Sequence, residues 1–213
     1  MARPVLLVLA GVNGAGKSSI GGNLMLRRAG MAWFNPDAYT ALLVQTGLPL
    51  EQANAQAWHR GVELLDQAIA AGHSHAFETT LGGRTLTGRI AAAAKTHDLL
   101  IWYCGLATPE QHIARVALRV AAGGHAIADS KIRERWLSSP LNLIGLLPRL
   151  TELRMYDNSS DAAPGQPVTD PVPVLHVANG KICFPLELQD LQSTPAWAKP
   201  IVQAARSLGQ GRG

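Results

Sequence analysis

The sequence predicts an α/β fold: a mainly parallel sheet flanked by helices, with an arginine-bearing helical lid and a C-terminal β-hairpin. Three observations carry this prediction. A wholly apolar run, Val5-Leu6-Leu7-Val8-Leu9-Ala10, leads directly into a glycine-rich loop. Strand-length apolar runs then alternate with segments of helical period, the pattern of parallel strands joined by crossover helices. Near the end, two short β-rich segments flank Asn179-Gly180, a favoured type I′ hairpin turn.

Taken in order, Val5 to Ala10 has the continuous apolar character of a central strand covered on both faces. A helix from about Lys17 to Arg28 follows the loop and ends at Gly30. Ala32-Trp33-Phe34 reads as a short second strand, stopped by Asn35-Pro36. Leu50 to Ala71 is a long helix with Gly72 as its C-terminal cap. His75-Ala76-Phe77 leads into Glu78-Thr79-Thr80 as a third strand and its tip, Thr85 to Thr96 is helical, and Leu99 to Cys104 is a fourth buried strand. Thr108-Pro109-Glu110-Gln111 supplies a capping threonine, proline at the first helical position and a capping-box glutamine. That helix runs to Ala122, where Gly123-Gly124 stops it, and further helices are expected to begin near Asp129 and near Pro140. Asp161 to Pro173 carries four prolines and reads as an irregular loop, followed by hairpin strands Val174 to Val177 and Ile182 to Phe184. Trp197 is expected on a short helix. The expected organisation is one domain over 1–213, with the lid at about 108–137 and a C-terminal extension from about 161.

Gly11-Val12-Asn13-Gly14-Ala15-Gly16-Lys17-Ser18 has the spacing G-x-x-x-x-G-K-S. Each fixed position has a mechanism: glycines let backbone N–H groups turn toward phosphates, Lys17 reaches the β- and γ-phosphates, and Ser18 offers a hydroxyl to Mg²⁺. Asn13, Gly14, Ala15, Gly16, Lys17, Ser18 and Ser19 are therefore the candidate nucleotide-binding residues, and Ser18 the candidate metal ligand. Other P-loop classes are disfavoured by their motifs. The N-K-x-D guanine motif is missing, since Asn179-Gly180-Lys181 lacks the aspartate, as is L-S-G-G-Q, and 213 residues is short for a hexameric motor. A P-loop kinase-like fold is what remains.

A kinase needs a group that orients or deprotonates the attacking hydroxyl and cations that neutralise the transferring phosphoryl. Asp37 lies just past the second strand, where the carboxyl ends of parallel strands gather ligands, and a carboxylate there can accept the hydroxyl proton; by local sequence it equally suits a helix cap. Glu78 ends the third strand beside two threonines. Arg115 and Arg119, four apart, share a helix face, while Arg133 and Arg135 lie beyond Gly123-Gly124-His125. Two arginine-bearing helices joined at a glycine hinge suit a lid that closes over a triphosphate. His59, His73, His75, His97, His112 and His176 show no metal-ligand spacing and read as ordinary surface or core histidines.

Gly11 to Ser19, Phe34-Asn35-Pro36-Asp37, Phe77-Glu78-Thr79-Thr80-Leu81, and Arg119 through Gly123-Gly124-His125 to Arg133 occur in the order and spacing of zeta-toxin-like kinases, a family that includes chloramphenicol phosphotransferase-like relatives. The resemblance covers roughly residues 4 to 160. It implies transfer of the γ-phosphate of ATP or GTP, with Mg²⁺, to a hydroxyl of UDP-N-acetylglucosamine or another small metabolite. It further implies Asp37 as catalytic base, Glu78 and Thr80 as substrate-binding residues, and Arg84 more loosely, because Gly82-Gly83 depart from the toxin pattern. Arg119 and Arg133 are implied as phosphate contacts, with Arg135 as the alternate. Tyr156-Asp157-Asn158-Ser159, which recurs in small relatives, is expected at the end of a late strand. Toxin-type relatives are held inactive by an antitoxin protein, so such a partner is a second expectation.

With 47% hydrophobic and 16% charged residues the chain is globular, and its apolar runs fall short of a membrane span. The start Met1-Ala2-Arg3 before an apolar run is better explained by the buried strand than by an export signal, and Cys104 and Cys183 read as reduced thiols, so the cytoplasm is expected. A net charge of +4 favours anionic partners. A polynucleotide 5′-hydroxyl kinase is the competing reading, but it needs a basic, aromatic-lined channel, and only 5% of residues are aromatic.

Overall fold

In the computed structural model the described residues are 2–17, 33–160 and 170–210. The expected helix after Lys17, and with it Ser18, Ser19 and Ala32, lies outside them. Seven strands form one sheet: β1 (Val5–Ala10), β2 (Trp33–Phe34), β3 (His75–Thr79), β4 (Asp98–Gly105), β5 (Glu152–Asp157), β6 (Val172–Ala178) and β7 (Lys181–Phe184). Their order is β2-β3-β1-β4-β5-β6-β7; neighbours from β2 through β5 pair parallel, whereas β6 pairs antiparallel with both β5 and β7. This is a mixed sheet of mostly parallel strands flanked by helices, an α/β fold.

β1 is paired on both sides, with β3 on one edge and β4 on the other. Leu6, Val8 and Ala10 point into the main core with Leu99, Ile101, Leu143 and Leu153, whereas Leu7 and Leu9 pack on the opposite face with Ala76. Burial on both faces is why this run shows no polar alternation. The chain leaves β1 between its neighbours β3 and β4, the position at which an open α/β sheet forms its ligand crevice.

The described helices are α1 (Pro36–Gln45), α2 (Leu50–Ala71), α3 (Arg84–Ala93), α4 (Pro109–Ala121), α5 (Asp129–Leu146), α6 (Leu188–Gln192) and α7 (Lys199–Gln210). Gly72 ends α2 at φ +65°, the left-handed cap that glycine adopts without strain. Thr108 caps α4 by accepting from Gln111 N, while the Gln111 side chain reaches back to Ala107 N. In the hairpin turn Asn179 and Gly180 both have positive φ, at +50° and +75°.

Three expectations are corrected. No helix begins at Pro140: it lies inside the single helix α5. An interior proline removes one helix hydrogen bond and costs about 3 kcal/mol. Packing on either side offsets this, with Ile132, Leu143 and Leu146 buried, Ser138 Oγ donating to Gly82 O and Asn142 Nδ2 to Leu81 O. Of the expected irregular stretch, residues 161–169 lie outside the described residues, and its last two belong to a strand, because β6 already starts at Val172. β7 pairs only with His176 to Ala178, so the first half of β6 is a sheet edge that tolerates a residue with no donor. Trp197 sits in the turn before α7 rather than on a helix, with its Nε1 donating to Asp157 Oδ1 at 3.1 Å. Among the described residues no helix is long and apolar enough to cross a membrane.

Candidate active site

Backbone conformation shapes the loop after β1. Gly11 has φ +137°, and a Cβ there would lie 2.1 Å from the carbonyl oxygen of Cys104, so the strand-to-loop turn admits only glycine. Gly14 and Gly16, at φ +82° and +84°, hold the left-handed backbone conformation that glycine adopts without strain.

Side chains from distant elements fix that loop from below. His112 Nδ1, on α4, donates to Asn13 O at 2.8 Å. Burial pushes its pKa down to about 4, reinforced by Lys17 and Arg115 and opposed by the bond to Asn13, so the ring is neutral near pH 7. Cys104 Sγ donates to Ala15 O at 2.8 Å, and burial pushes the thiol up to about 12, which keeps its donor proton in place. Asn158 Nδ2, just past β5, donates to the same Ala15 oxygen at 3.0 Å.

Above the loop the contacts are ionic. Lys17 Nζ lies 3.3 Å from Glu78 Oε1 and 3.4 Å from Val12 O. Both side chains of that pair are under 10% exposed. Glu78 Oε2 accepts from Asn35 Nδ2 at 3.1 Å, while Asn35 Oδ1 accepts from Ala38 N at 3.1 Å and so caps α1. With Asn35 as cap and Pro36 at the first helical position, Asp37 falls in the first turn of α1, where a carboxylate is favoured. Asp37 Oδ2 is 2.9 Å from Arg119 Nη1, and its Oδ1 is 3.7 Å from His125 Nε2. Arg119 Nη2 also donates to His125 O at 3.3 Å, and Gly124 leaves room for it, since a Cβ there would meet Arg119 Cγ at 2.8 Å. Arg135 Nη1 donates to Asn13 Oδ1 at 2.7 Å.

These groups border a cavity of about 400 Å³ between the loop, the tips of β2 and β3, and the hinge before α5. Asn13, Lys17, Asp37, Glu78, Thr80 and Arg135 line it, with Phe34 and Phe77 on an apolar wall. Of the residues singled out from sequence, Asn13, Lys17, Asp37, Glu78 and Thr80 thus share one cavity, and Arg119 reaches it through Asp37.

Two expected site residues are placed elsewhere. Arg133, expected at the phosphates, pairs with Glu110 Oε1 at 2.7 Å on the exposed surface. Residues 133 and 135 are two apart, about 200° around a helix, so only one can face the loop, and it is Arg135. Arg84 is exposed at the start of α3 and does not line the cavity. Arg115 Nη2 donates to Ser160 O at 3.1 Å. Sequence reasoning missed the supports beneath the loop: His112 read as ordinary, and Cys104 as a plain thiol. No local pattern marks them, because their partners are 99 and 89 residues away.

Among the described residues no cluster of three or more His, Cys, Asp or Glu is arranged to hold a metal. No protein-family model matches the chain, and no curated protein matches it in sequence. Solved structures are similar in fold. A complex of AvrRxo1-ORF1 with AvrRxo1-ORF2, solved with ATP, matches with a TM-score of 0.63 at 18% identity, over 92% of this chain and 65% of that one. The chain therefore spans just under two thirds of that protein. The PezAT chromosomal toxin-antitoxin system of Streptococcus pneumoniae matches with a TM-score of 0.59 at 14% identity, over 99% of this chain and 88% of that one. At these identities the likeness is one of fold. That fold is the α/β, P-loop kinase-like one expected from the sequence, with a mainly parallel sheet flanked by helices.

Proposed function

We propose that the protein is an ATP- or GTP- and Mg²⁺-dependent kinase that phosphorylates a hydroxyl of a small metabolite, a nucleotide sugar such as UDP-N-acetylglucosamine being the favoured acceptor. The observation that carries this reading is the convergence of Lys17, Asp37 and Glu78 on one cavity that Arg135 also lines and Arg119 reaches through Asp37. The turn-forming glycines fit a phosphate loop: a Cβ at Gly11, Gly14 or Gly16 would collide with Cys104 O, His112 O or Asn158 Nδ2, so only glycine lets the loop lie this close to its supports.

In the proposed reaction Asp37 accepts the proton of the acceptor hydroxyl as that oxygen forms a bond to the γ-phosphorus. The bond from the γ-phosphorus to the bridging oxygen breaks, and ADP or GDP leaves with that electron pair. Lys17, Arg119 and Arg135 neutralise the charge on the transferring group. Arg119 would exchange Asp37 for phosphate as acceptor enters, which frees the carboxylate to act as base. Glu78 and Thr80 orient the acceptor. Ser18 is the residue that would hold Mg²⁺ together with the phosphates, and the ion supplies further charge neutralisation.

Incubation with labelled ATP and a metabolite extract, followed by mass spectrometry of the phosphorylated product, tests the reading. Retention of transfer by Asp37→Ala on the identified acceptor would show that Asp37 is not the base. Competition by a single-stranded oligonucleotide at moderate salt would instead favour a polynucleotide acceptor. The fold match to the PezAT toxin-antitoxin system supports a second proposal, that a protein partner controls the site. Co-purification of a partner that blocks labelled-ATP binding would support it.

A further inference from the structure

A second cavity, sharing no lining residue with the first, borders the phosphate loop at Val12 and has a volume of about 320 Å³. Helix α5 contributes Arg135 to the first cavity and Trp136 to the second. The walls of the second are apolar and largely aromatic: Tyr103, Leu106, Trp136, Pro140, Ile144 and Trp197. Trp197 is fixed on two sides. Its Nε1 donates to Asp157 Oδ1 at 3.1 Å, and its ring lies so close over Gly105 that a Cβ there would meet it at 2.4 Å. It stands 6.1 Å from the Tyr103 ring, at a tilt of 30°. This aromatic wall is therefore preformed, and the cavity's size falls at the lower end of those that take small molecules.

One side-chain acceptor is left for a ligand. Tyr103 Oη is bonded to Ser139 Oγ at 3.0 Å, and Trp136 and Trp197 can only donate. His112, only 1% exposed, also lines the cavity. Its Nδ1 donates to Asn13 O, so in the neutral ring Nε2 carries the lone pair and is an acceptor. Among the described residues Nε2 makes no hydrogen bond. A buried acceptor favours a ligand that brings a donor to it.

We propose that this cavity is a second ligand site, for a small neutral aromatic molecule that donates one N–H or O–H to His112 Nε2. Its apolar walls disfavour a charged ligand, since nothing in them compensates a desolvated charge. Its aromatic rings favour a flat ring set offset or edge-on among them. Because the same imidazole holds Asn13 O, the occupant also fixes the ring that supports the phosphate loop. The site stands whether or not the kinase reading does.

The test is calorimetric titration of the full chain with indole and with benzothiophene, which has nearly the same shape but no N–H. Indole is expected to bind at a single site and about tenfold more tightly than benzothiophene. With the histidine rings labelled for nitrogen NMR, indole should move His112 Nε2 upfield, as accepting a hydrogen bond does to an unprotonated ring nitrogen. That signature locates the site without any substitution. Ala196→Phe, at an exposed position on the lining, is expected to fill the cavity and weaken indole binding about tenfold, with circular dichroism unchanged. Leu141→Trp, which fills it from exposed α5, covers a phenylalanine variant that does not fold. Absence of indole binding overturns the proposal, and so does equal affinity for indole and benzothiophene. Indole binding that leaves His112 Nε2 unmoved, or that survives both substitutions, overturns it too. So does displacement of indole by ATP with Mg²⁺, because the cavity would then belong to the nucleotide site.

Discussion

The floor and the roof of the phosphate loop are built by different physics. The floor is neutral and hydrogen-bonded: His112, Cys104 and Asn158 each donate to a backbone oxygen of the loop. The roof is ionic, and its groups are paired with one another: Lys17 with Glu78, and Arg119 with Asp37. A neutral bond to a fixed carbonyl has one good geometry and holds shape. An ion pair can exchange one anion for another at little net cost, because the charge lost on one side is regained on the other. The difference separates the residues that define the loop from those that, in the proposed reaction, act on what it binds.

Substitutions in floor and roof should therefore fail in different ways. The largest effect is expected in the roof, where Asp37→Ala should lower phosphoryl transfer by about 10³-fold with a wild-type melting curve. Product formation under single turnover, read beside thermal unfolding, checks both halves. If melting falls in step with transfer, the division between floor and roof fails. Next, Gly11→Ala should cost about 3 kcal/mol of stability, because its Cβ would collide with a backbone carbonyl rather than with a movable side chain. Urea denaturation measures it.

The floor should also respond to acid. The His112 pKa is lowered to about 4 from 6.5. Below pH 6.5 the unfolded chain binds a proton that the folded chain does not, so stability falls as pH drops and this loss levels off near 4. Between pH 7 and 5 that amounts to about 2 kcal/mol, and His112→Asn, which keeps a donor but does not titrate, should remove this component in paired urea titrations. The smallest effect is expected at Arg133, whose pairing with Glu110 is solvent-exposed. Arg133→Ala should change transfer by less than about twofold, against about 10²-fold for Arg135→Ala. Equal losses would place both arginines in the roof.

The floor and the roof also differed in how far they could be read from sequence. β1 and its loop were plain, because a strand buried on both faces leaves an unbroken apolar run and a phosphate loop has fixed glycines. α2 was readable to its ends, since Gly72 caps it. Strand-tip logic picked out Asp37 and Glu78, and both border the cavity. The choice between Arg133 and Arg135 was not readable, because Trp136 and Leu137 leave the helical phase ambiguous at that point. Pro140 misled because a local rule was outweighed by burial on both sides of it. The floor could not be read at all, since a histidine, a cysteine and an asparagine become supports only when the sheet brings them beneath a loop far away in the chain.

That separation has a consequence during synthesis. The phosphate loop lies near the start of the chain, yet Asn158, which holds Ala15 in place, follows it by 143 residues. A ribosome must add 143 residues after Ala15 before the last of these supports is made. A partly made chain carries the full phosphate-loop motif without its floor, so nucleotide capture should arrive late and abruptly as translation proceeds. The earliest recognisable feature of the sequence is among the last to become a working part.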